Sequence, residues 1–153
     1  MKWPRSRSDN SSDRPGRLPP PALLDRLYPR VLGFAYQVLG DAELAAQSAE
    51  TIFVRRDPPQ NEVAVWTAAI ATMRSYVARG FVVRPLVPQT QSWQTDLLRR
   101  LAQLEPLERA LLLLRYHEDL ELEDLAQVLG ISEDELRKQV ALARGKLLDL
   151  PNV

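Results

Sequence analysis

The sequence predicts an all-α protein made of two helical units joined by a linker. Along most of the chain, apolar residues recur at three- and four-residue steps, which is the spacing of amphipathic helices. No stretch shows the strict alternation of a half-buried strand. Two proline-containing stretches without helical period, residues 1–20 and 80–92, set the first unit apart from the N-terminus and from the second unit.

Composition excludes several classes of protein. The chain of 153 residues has no cysteine, so disulfide frameworks and thiolate metal sites are excluded, and its one histidine cannot build a metal site alone. No apolar run approaches the roughly 18 residues that a membrane span needs, and the N-terminus lacks the apolar segment of a signal peptide. The residues show no catalytic constellation. We therefore expect a cytoplasmic protein without cofactor, metal or membrane partner, and not an enzyme.

The first unit, residues 21–79, is predicted to hold three helices after a disordered tail at residues 1–20. Gly40 is expected to end the first helix and Asp41 to cap the second, while Pro29 favours a kink or a break in the first helix. The paired prolines of the loop "RRDPPQN" exclude a helix there. The predicted helices span residues 22–39, 42 to about 55, and 62–78.

The second unit, residues 93–153, ends in the pattern of a helix-turn-helix. A short helix with Leu125 inward is followed by Gly130, which permits a left-handed turn, and by Ser132, which can cap the next helix. Steps of four, three and four residues predict that the last helix buries the stripe Leu136, Val140, Ala143 and Leu147.

The exposed surface of that last helix is compatible with a DNA major groove. Small residues lie opposite the buried stripe, and long cationic or polar side chains flank them. The candidate DNA-binding residues are Arg137, Lys138, Gln139 and Arg144. Glu133, Asp134 and Glu135 precede them, and we interpret Ser132 and Glu135 as a capping box with the acids at the positive end of the helix dipole. Residues 96–153 carry a net charge of −4, which argues against strong non-specific DNA affinity.

Residues 101–150 resemble region 4 of the extracytoplasmic-function sigma factors of bacterial RNA polymerase. The resemblance covers about fifty residues of "LAQLEPLERALLLLRYHEDLELEDLAQVLGISEDELRKQVALARGKLLDL". It implies a helix-turn-helix domain, akin to a winged helix without strands, whose last helix reads the upstream promoter element. The residues that match the family pattern are Leu101, Leu104, Pro106, Arg109, Leu112–Arg115, Tyr116, Glu123–Ala126, Leu129–Ser132, Ala143, Arg144 and Leu147.

The first unit is similar to region 2 of the same family. The similarity lies in "LYPRVLGFAYQVLGDAELAAQSAETIFVRR" and "VWTAAIATMRSYV". It implies core RNA polymerase and promoter DNA as partners, with an anti-sigma factor as a further candidate. By the same resemblance, the candidate polymerase-binding residues are Gln47, Glu50 and Phe53.

Several residues of the first unit depart from the family pattern. The family's D-L-V-Q-E is replaced by residues 47–51, and its R-N pair and later Asp by Thr72, Met73 and Val77, although Arg74 and Arg79 stay as candidate phosphate contacts. Two functions follow from these residues. One is a sigma factor that recruits polymerase to promoters, and the alternative is a sigma-like adaptor that binds DNA or a partner without melting promoters.

Overall fold

The computed structural model describes residues 17–81 and 93–149, and it confirms the all-α class. These residues form seven helices and contain no β-strand; their one isolated antiparallel bridge joins Arg17 to Arg55. The helices are α1 (Pro21–Leu39), α2 (Ala42–Phe53), α3 (Glu62–Ala78), α4 (Trp93–Gln103), α5 (Pro106–Leu112), α6 (Leu122–Leu129) and α7 (Glu133–Asp149).

Helices α1 to α3 begin and end where the sequence predicts, with two differences. Gly40, with φ of 75°, ends α1, and Asp41 accepts a hydrogen bond from the Leu44 N–H at 2.9 Å to cap α2. Helix α1 is continuous through Pro29, so the predicted break is absent. Helix α2 ends at Phe53 rather than near Arg55, because the backbone of Arg55 pairs with that of Arg17 instead.

Helix α5 continues into a π-helical turn, Leu113–His117, that closes with a hydrogen bond from the Glu118 N–H to the Leu113 carbonyl. The four leucines at 111–114 are buried, as predicted. Leu114 also accepts from the Leu120 N–H at 3.0 Å, so the chain turns tightly after α5 and leads into α6. This turn carries Glu118 to the surface of α1.

One hydrophobic core extends across both predicted units. Helix α3 contacts α1 and α2 of the first unit and α6 and α5 of the second. Its buried residues therefore lie on more than one face, and they are Val65, Trp66, Ala68, Ala69, Ile70, Thr72 and Met73. The predicted linker lies almost wholly in residues 82–92, outside the described residues, and the division into two domains stays a prediction.

Arg109 is a buried cation that joins the two units. Only 3% of the residue is exposed, and its guanidinium donates to carbonyls at the C-terminal ends of two helices. In α1 the acceptors are Gln37, at 3.0 Å, and Val38; after α4 it donates to Leu104 at 2.7 Å. Helix C-termini carry unpaired carbonyls and partial negative charge, so this cation satisfies both at once.

A second polar contact between the units is the ion pair of Arg30 with Glu118. The Glu118 side chain is 4% exposed, and its Oε1 accepts from Arg30 Nε at 2.7 Å. His117 Nδ1 lies 2.9 Å from the other carboxylate oxygen, Oε2. Arg30 also contacts Glu62 of α3 at 3.5 Å, so one cation links α1, α3 and the end of α5.

Glu62 lies at the centre of a charge network on the first unit. Burial raises its pKa, but the hydrogen bonds from Arg26 and Trp66 and the charges of Arg30 and Arg26 outweigh that effect. The pKa of Glu62 is therefore held below its ordinary value of 4.5. Its Oε1 accepts from Arg26 at 2.8 Å, and Trp66 Nε1 donates to Oε2 at 3.4 Å.

Replacing Arg109 with alanine should destabilise the protein by about 3 kcal/mol, because buried carbonyls at two helix ends lose their donor. Arg109→Lys should recover only part of this, since an ammonium group lacks the fork that reaches both ends. Urea denaturation measures the difference. As a control, Arg26→Ala removes a cation that is 54% exposed and should change stability by under about 1 kcal/mol. A loss of the same size in both variants would contradict the role of Arg109.

Glu62→Gln should be less stable than the parent at pH 7, and the difference should shrink as the pH falls below about 4.5. The folded-state pKa is lowered, so the carboxylate's contribution is complete above the unfolded pKa and is lost as the pH falls through the folded pKa. Urea midpoints measured from pH 3 to 7, at roughly unit steps, test this linkage. Parallel stability curves for the two proteins would rule out a stabilising ionised Glu62.

Candidate nucleic-acid interface

Helices α6 and α7 form the helix-turn-helix that the sequence predicts. Gly130, with φ of 71°, ends α6, and its N–H donates back to the carbonyl of Ala126 at 2.8 Å. Ile131 packs against the core from the turn. Ser132 Oγ then accepts from the Glu135 N–H at 3.1 Å, which caps α7. The turn is thus fixed by one left-handed glycine, one apolar contact and one cap.

Helix α7 has a buried inner stripe, an exposed outer face opposite it, and two flanks between them. Its inner stripe is formed by Leu136, Val140 and Ala143, which are buried, and by Leu147, which is partly buried. This confirms the predicted inner stripe. The outer face, opposite it, is formed by four exposed residues: Asp134, Lys138, Ala141 and Gly145.

The acids of the first turn lie against Arg137. Its guanidinium is 3.5 Å from Glu133 and 3.4 Å from Asp134, and all three side chains are exposed. Asp134 thus pairs with Arg137, three residues on, rather than with Lys138, four residues on. The Glu135 carboxylate accepts from Gln139 Nε2 at 3.3 Å, one turn further on. The serine half of the predicted capping box is therefore present, while the glutamate side chain turns outward.

One flank of α7 carries Arg137 and Arg144. Arg144 is exposed, and its guanidinium lies 5.8 Å from the ring centroid of Tyr116, which is itself 51% exposed. Beside them is an apolar groove of about 370 Å³ between α4, the π-helical turn and α7. A cation held against an aromatic ring keeps its charge available to an anion on the open side.

The opposite flank of α7 faces the first unit. Gln139, Leu142 and Lys146 form one wall of a groove of about 320 Å³, and Ile70 and Arg74 of α3 lie on its other side. Lys146 forms an ion pair with Glu108 of α5. Arg74 belongs to the first unit, and no local sequence pattern indicates that it lies beside α7.

Comparison with protein families gives a match to the second unit. Residues 94–147 match the family described as Sigma-70, region 4. The match covers about a third of the chain and lies within the second unit. A search of curated proteins finds no match to it.

Solved structures similar to this chain cover both of its units. One is the sigma factor RpoE in complex with the anti-sigma factor NepR from Bartonella quintana, with a TM-score of 0.64, 16% identity, and coverage of 81% of this chain and 91% of that chain. Another is the PhyRSL–NepR complex from Sphingomonas sp. Fr1, with a TM-score of 0.61, 18% identity, and coverage of 86% and 88%. At these identities the likeness shows the fold alone, which this chain shares with both structures.

The predicted polymerase-binding residues divide into two groups by their exposure. Gln47 and Glu50 are exposed on α2. Phe53 is 1% exposed, and its ring centroid lies 5.6 Å from that of Tyr28. Phe53 is therefore a packing residue, because α2 turns it into the core, and Gln47 and Glu50 are the accessible candidates.

Helix α3 buries two of the positions at which the sequence departs from the family pattern described above. Thr72 is 7% exposed and Met73 is fully buried. Thr72 Oγ1 donates to the Ala68 carbonyl at 2.8 Å, so its hydroxyl is satisfied within the helix. Trp66 is also fully buried, edge-on to Phe34 at 5.5 Å, which assigns it to the core rather than to base stacking. Among the described residues no group of acids and histidine could hold a metal.

Proposed function

We propose that this protein is a sigma factor of the extracytoplasmic-function type, which binds core RNA polymerase and brings it to promoter DNA. In this proposal α7 reads the upstream promoter element, and the α1–α3 unit meets the polymerase and the downstream element. The observation that carries the proposal is the exposed outer face of α7, with Arg137 and Arg144 on its flank, within residues that match sigma-70 region 4.

The outer face of α7 suits close approach to bases. An α-helix about 10–12 Å wide enters a major groove of about 12 Å, and small residues at the contact line let the helix come nearest. Ala141 and Gly145 are such residues, and Lys138 lies between them and the first turn. Arg137 and Arg144 lie to one side, where a phosphate backbone would run. The candidate Gln139 lies on the other side, toward α3.

The charge distribution implies that α7 binds DNA weakly by itself. Residues 96–153 have a net charge of −4, and the acids at 133 and 134 lie against Arg137. Because non-specific affinity comes mainly from cations that neutralise phosphates, this unit has little of it. We infer that polymerase supplies most of the affinity for promoter DNA and that α7 supplies discrimination.

A second candidate function is a sigma-like adaptor that binds a partner or DNA without opening promoters. The burial of Thr72 and Met73 favours it, because no polar side chain at those positions is available to hold unpaired DNA. Both similar structures are complexes with NepR, which is described as an anti-sigma factor in one of them. We infer that an anti-sigma factor is a partner of this chain under either function.

The place of action follows from the same proposal. No described helix is long and apolar enough to cross a membrane. A factor that binds polymerase and promoter DNA would act in the cytoplasm, by binding rather than by catalysis.

Adding the purified protein to core RNA polymerase should produce a stable complex and promoter-dependent transcripts. Glu50→Lys should weaken the complex, because it reverses an exposed charge on α2, whereas Asp57→Lys, an equally exposed acid beyond α2, should not. Co-purification and run-off transcription measure the two steps. No complex with core would refute the sigma factor, and a complex without transcripts would favour the adaptor.

Arg137→Ala combined with Lys138→Ala should weaken DNA binding and reduce the salt slope by about one, for the lost phosphate contact of Arg137, while the loss of Lys138 removes a contact on the outer face. Glu133→Gln combined with Asp134→Asn should act in the opposite direction, since it removes the acids that lie against Arg137. Fluorescence anisotropy with duplex DNA at several salt concentrations measures both. If affinity and slope stay at the parent values in both variants, α7 does not contact DNA through this surface.

A further inference from the structure

A groove of about 400 Å³ lies on the first unit, between α1 and the end of α2. Three large apolar side chains in its lining are exposed to solvent, namely Leu18 (57%), Tyr28 (37%) and Val54 (39%). Two exposed carboxylates, Asp25 and Glu50, lie in the same lining. Within the described part of the chain neither of them forms an ion pair. The groove therefore combines exposed apolar surface with two carboxylates that lack a cationic partner there.

The N-terminal segment, residues 1–16, is attached to the fold beside this groove. The Arg17 N–H donates to the Arg55 carbonyl at 2.7 Å, and the Arg55 N–H donates back at 3.0 Å. The Arg17 guanidinium also donates to the Arg56 carbonyl at 2.9 Å, so three arginines form a cluster at this point. The next residue, Leu18, already lines the groove. A segment tethered so closely has an effective concentration on the order of millimolar at the groove.

The sequence of the N-terminal segment, MKWPRSRSDNSSDRPG, complements the groove in charge and polarity. Its far half carries Trp3, Arg5 and Arg7, which suit an apolar groove that contains two carboxylates. Its near half carries Asp9 and Asp13, which suit the arginine cluster at the point of attachment. The segment is also long enough to turn back, since residues 3 to 18 reach up to about 50 Å when extended.

We propose that the N-terminal segment binds in the groove between α1 and α2 of its own chain, with Trp3 in the apolar part and Arg5 and Arg7 at the carboxylates. A segment predicted to be disordered by itself can order on such a surface, because the groove supplies the apolar contact that the segment lacks. In this bound form the segment covers Glu50. Because Glu50 is one of the two accessible polymerase-binding candidates, the bound segment and core polymerase exclude each other, a consequence that rests on the proposed function.

Disulfide formation tests the docking directly, because the chain has no cysteine and one introduced pair is unambiguous. Ser6→Cys lies between the two cations, and Gln47→Cys lies about one turn before Glu50 on the exposed side of α2. In the full-length chain this pair should crosslink within one molecule under mild oxidation. Adding Trp3→Ser should slow the crosslinking about tenfold through lost apolar burial. Adding Arg7→Gln should slow it about threefold through a lost ion pair.

Two further variants are matched controls for the charge changes. Arg14→Gln makes the same change of charge as Arg7→Gln, but next to the arginine cluster, and it should not slow the crosslinking. Asp25→Asn should repeat the effect of Arg7→Gln from the side of the groove. Equal crosslinking rates in all of these variants would overturn the docking. A crosslinked dimer as the main product would overturn it as well, and it would assign the groove to a second copy of the chain.

Affinity for core RNA polymerase tests the consequence of the docking. Trp3→Ser in the otherwise unchanged chain should bind core about threefold more tightly, because Glu50 is no longer covered. If Trp3→Ser slows crosslinking but leaves the affinity unchanged, the exclusion of polymerase is overturned. If neither the parent nor Trp3→Ser binds core, the proposed function fails and the exclusion fails with it, whereas the crosslinking rates still decide the docking.

Discussion

The arrangement of the two units depends on the hydrogen bonds that the Arg109 guanidinium donates to both of them. It is buried, and it donates to carbonyls at the ends of α1 and α4. The acceptor residue Gln37 lies 72 residues from Arg109 in the sequence, and Leu104 lies five residues from it. Helix ends that meet inside a protein leave acceptors that water cannot reach, so a buried helix junction needs donors of its own. One arginine fork supplies them to both units. With the Arg30–Glu118 pair, it makes the contact between the units polar as well as apolar.

The position of α3 follows from that contact and shapes the functional surface. A helix between two layers is apolar on two faces, and α3 buries Trp66 and Met73 fully as part of a core that reaches both units. Its exposed polar side chains therefore lie on the remaining surface, which includes Arg74. The same packing buries Thr72 and Met73 and leaves Arg74 exposed beside α7.

Electrostatics on α7 separate helix stability from DNA affinity. Acids in the first turn favour the helix through its dipole, and Ser132 caps it, so the segment is well determined as a helix. The same acids lie against Arg137 and reduce its attraction for phosphate. Under the proposed function, a helix built in this way has little general affinity for DNA and depends on its base contacts and on the polymerase.

The sequence by itself determined the helices of the first unit to within about two residues, the helix-turn-helix and the buried stripe of α7, because each is a property of residues within about four positions of one another. Gly40, Asp41, Gly130 and Ser132 act on their neighbours, and their roles could be read directly. The tertiary structure alone decided that Phe53 is buried, that Arg109 joins two helix ends, and that Arg74 lies beside α7. These depend on contacts between residues far apart in the chain, such as Arg30 with Glu118 across 88 positions, and no local pattern encodes which distant surfaces will meet.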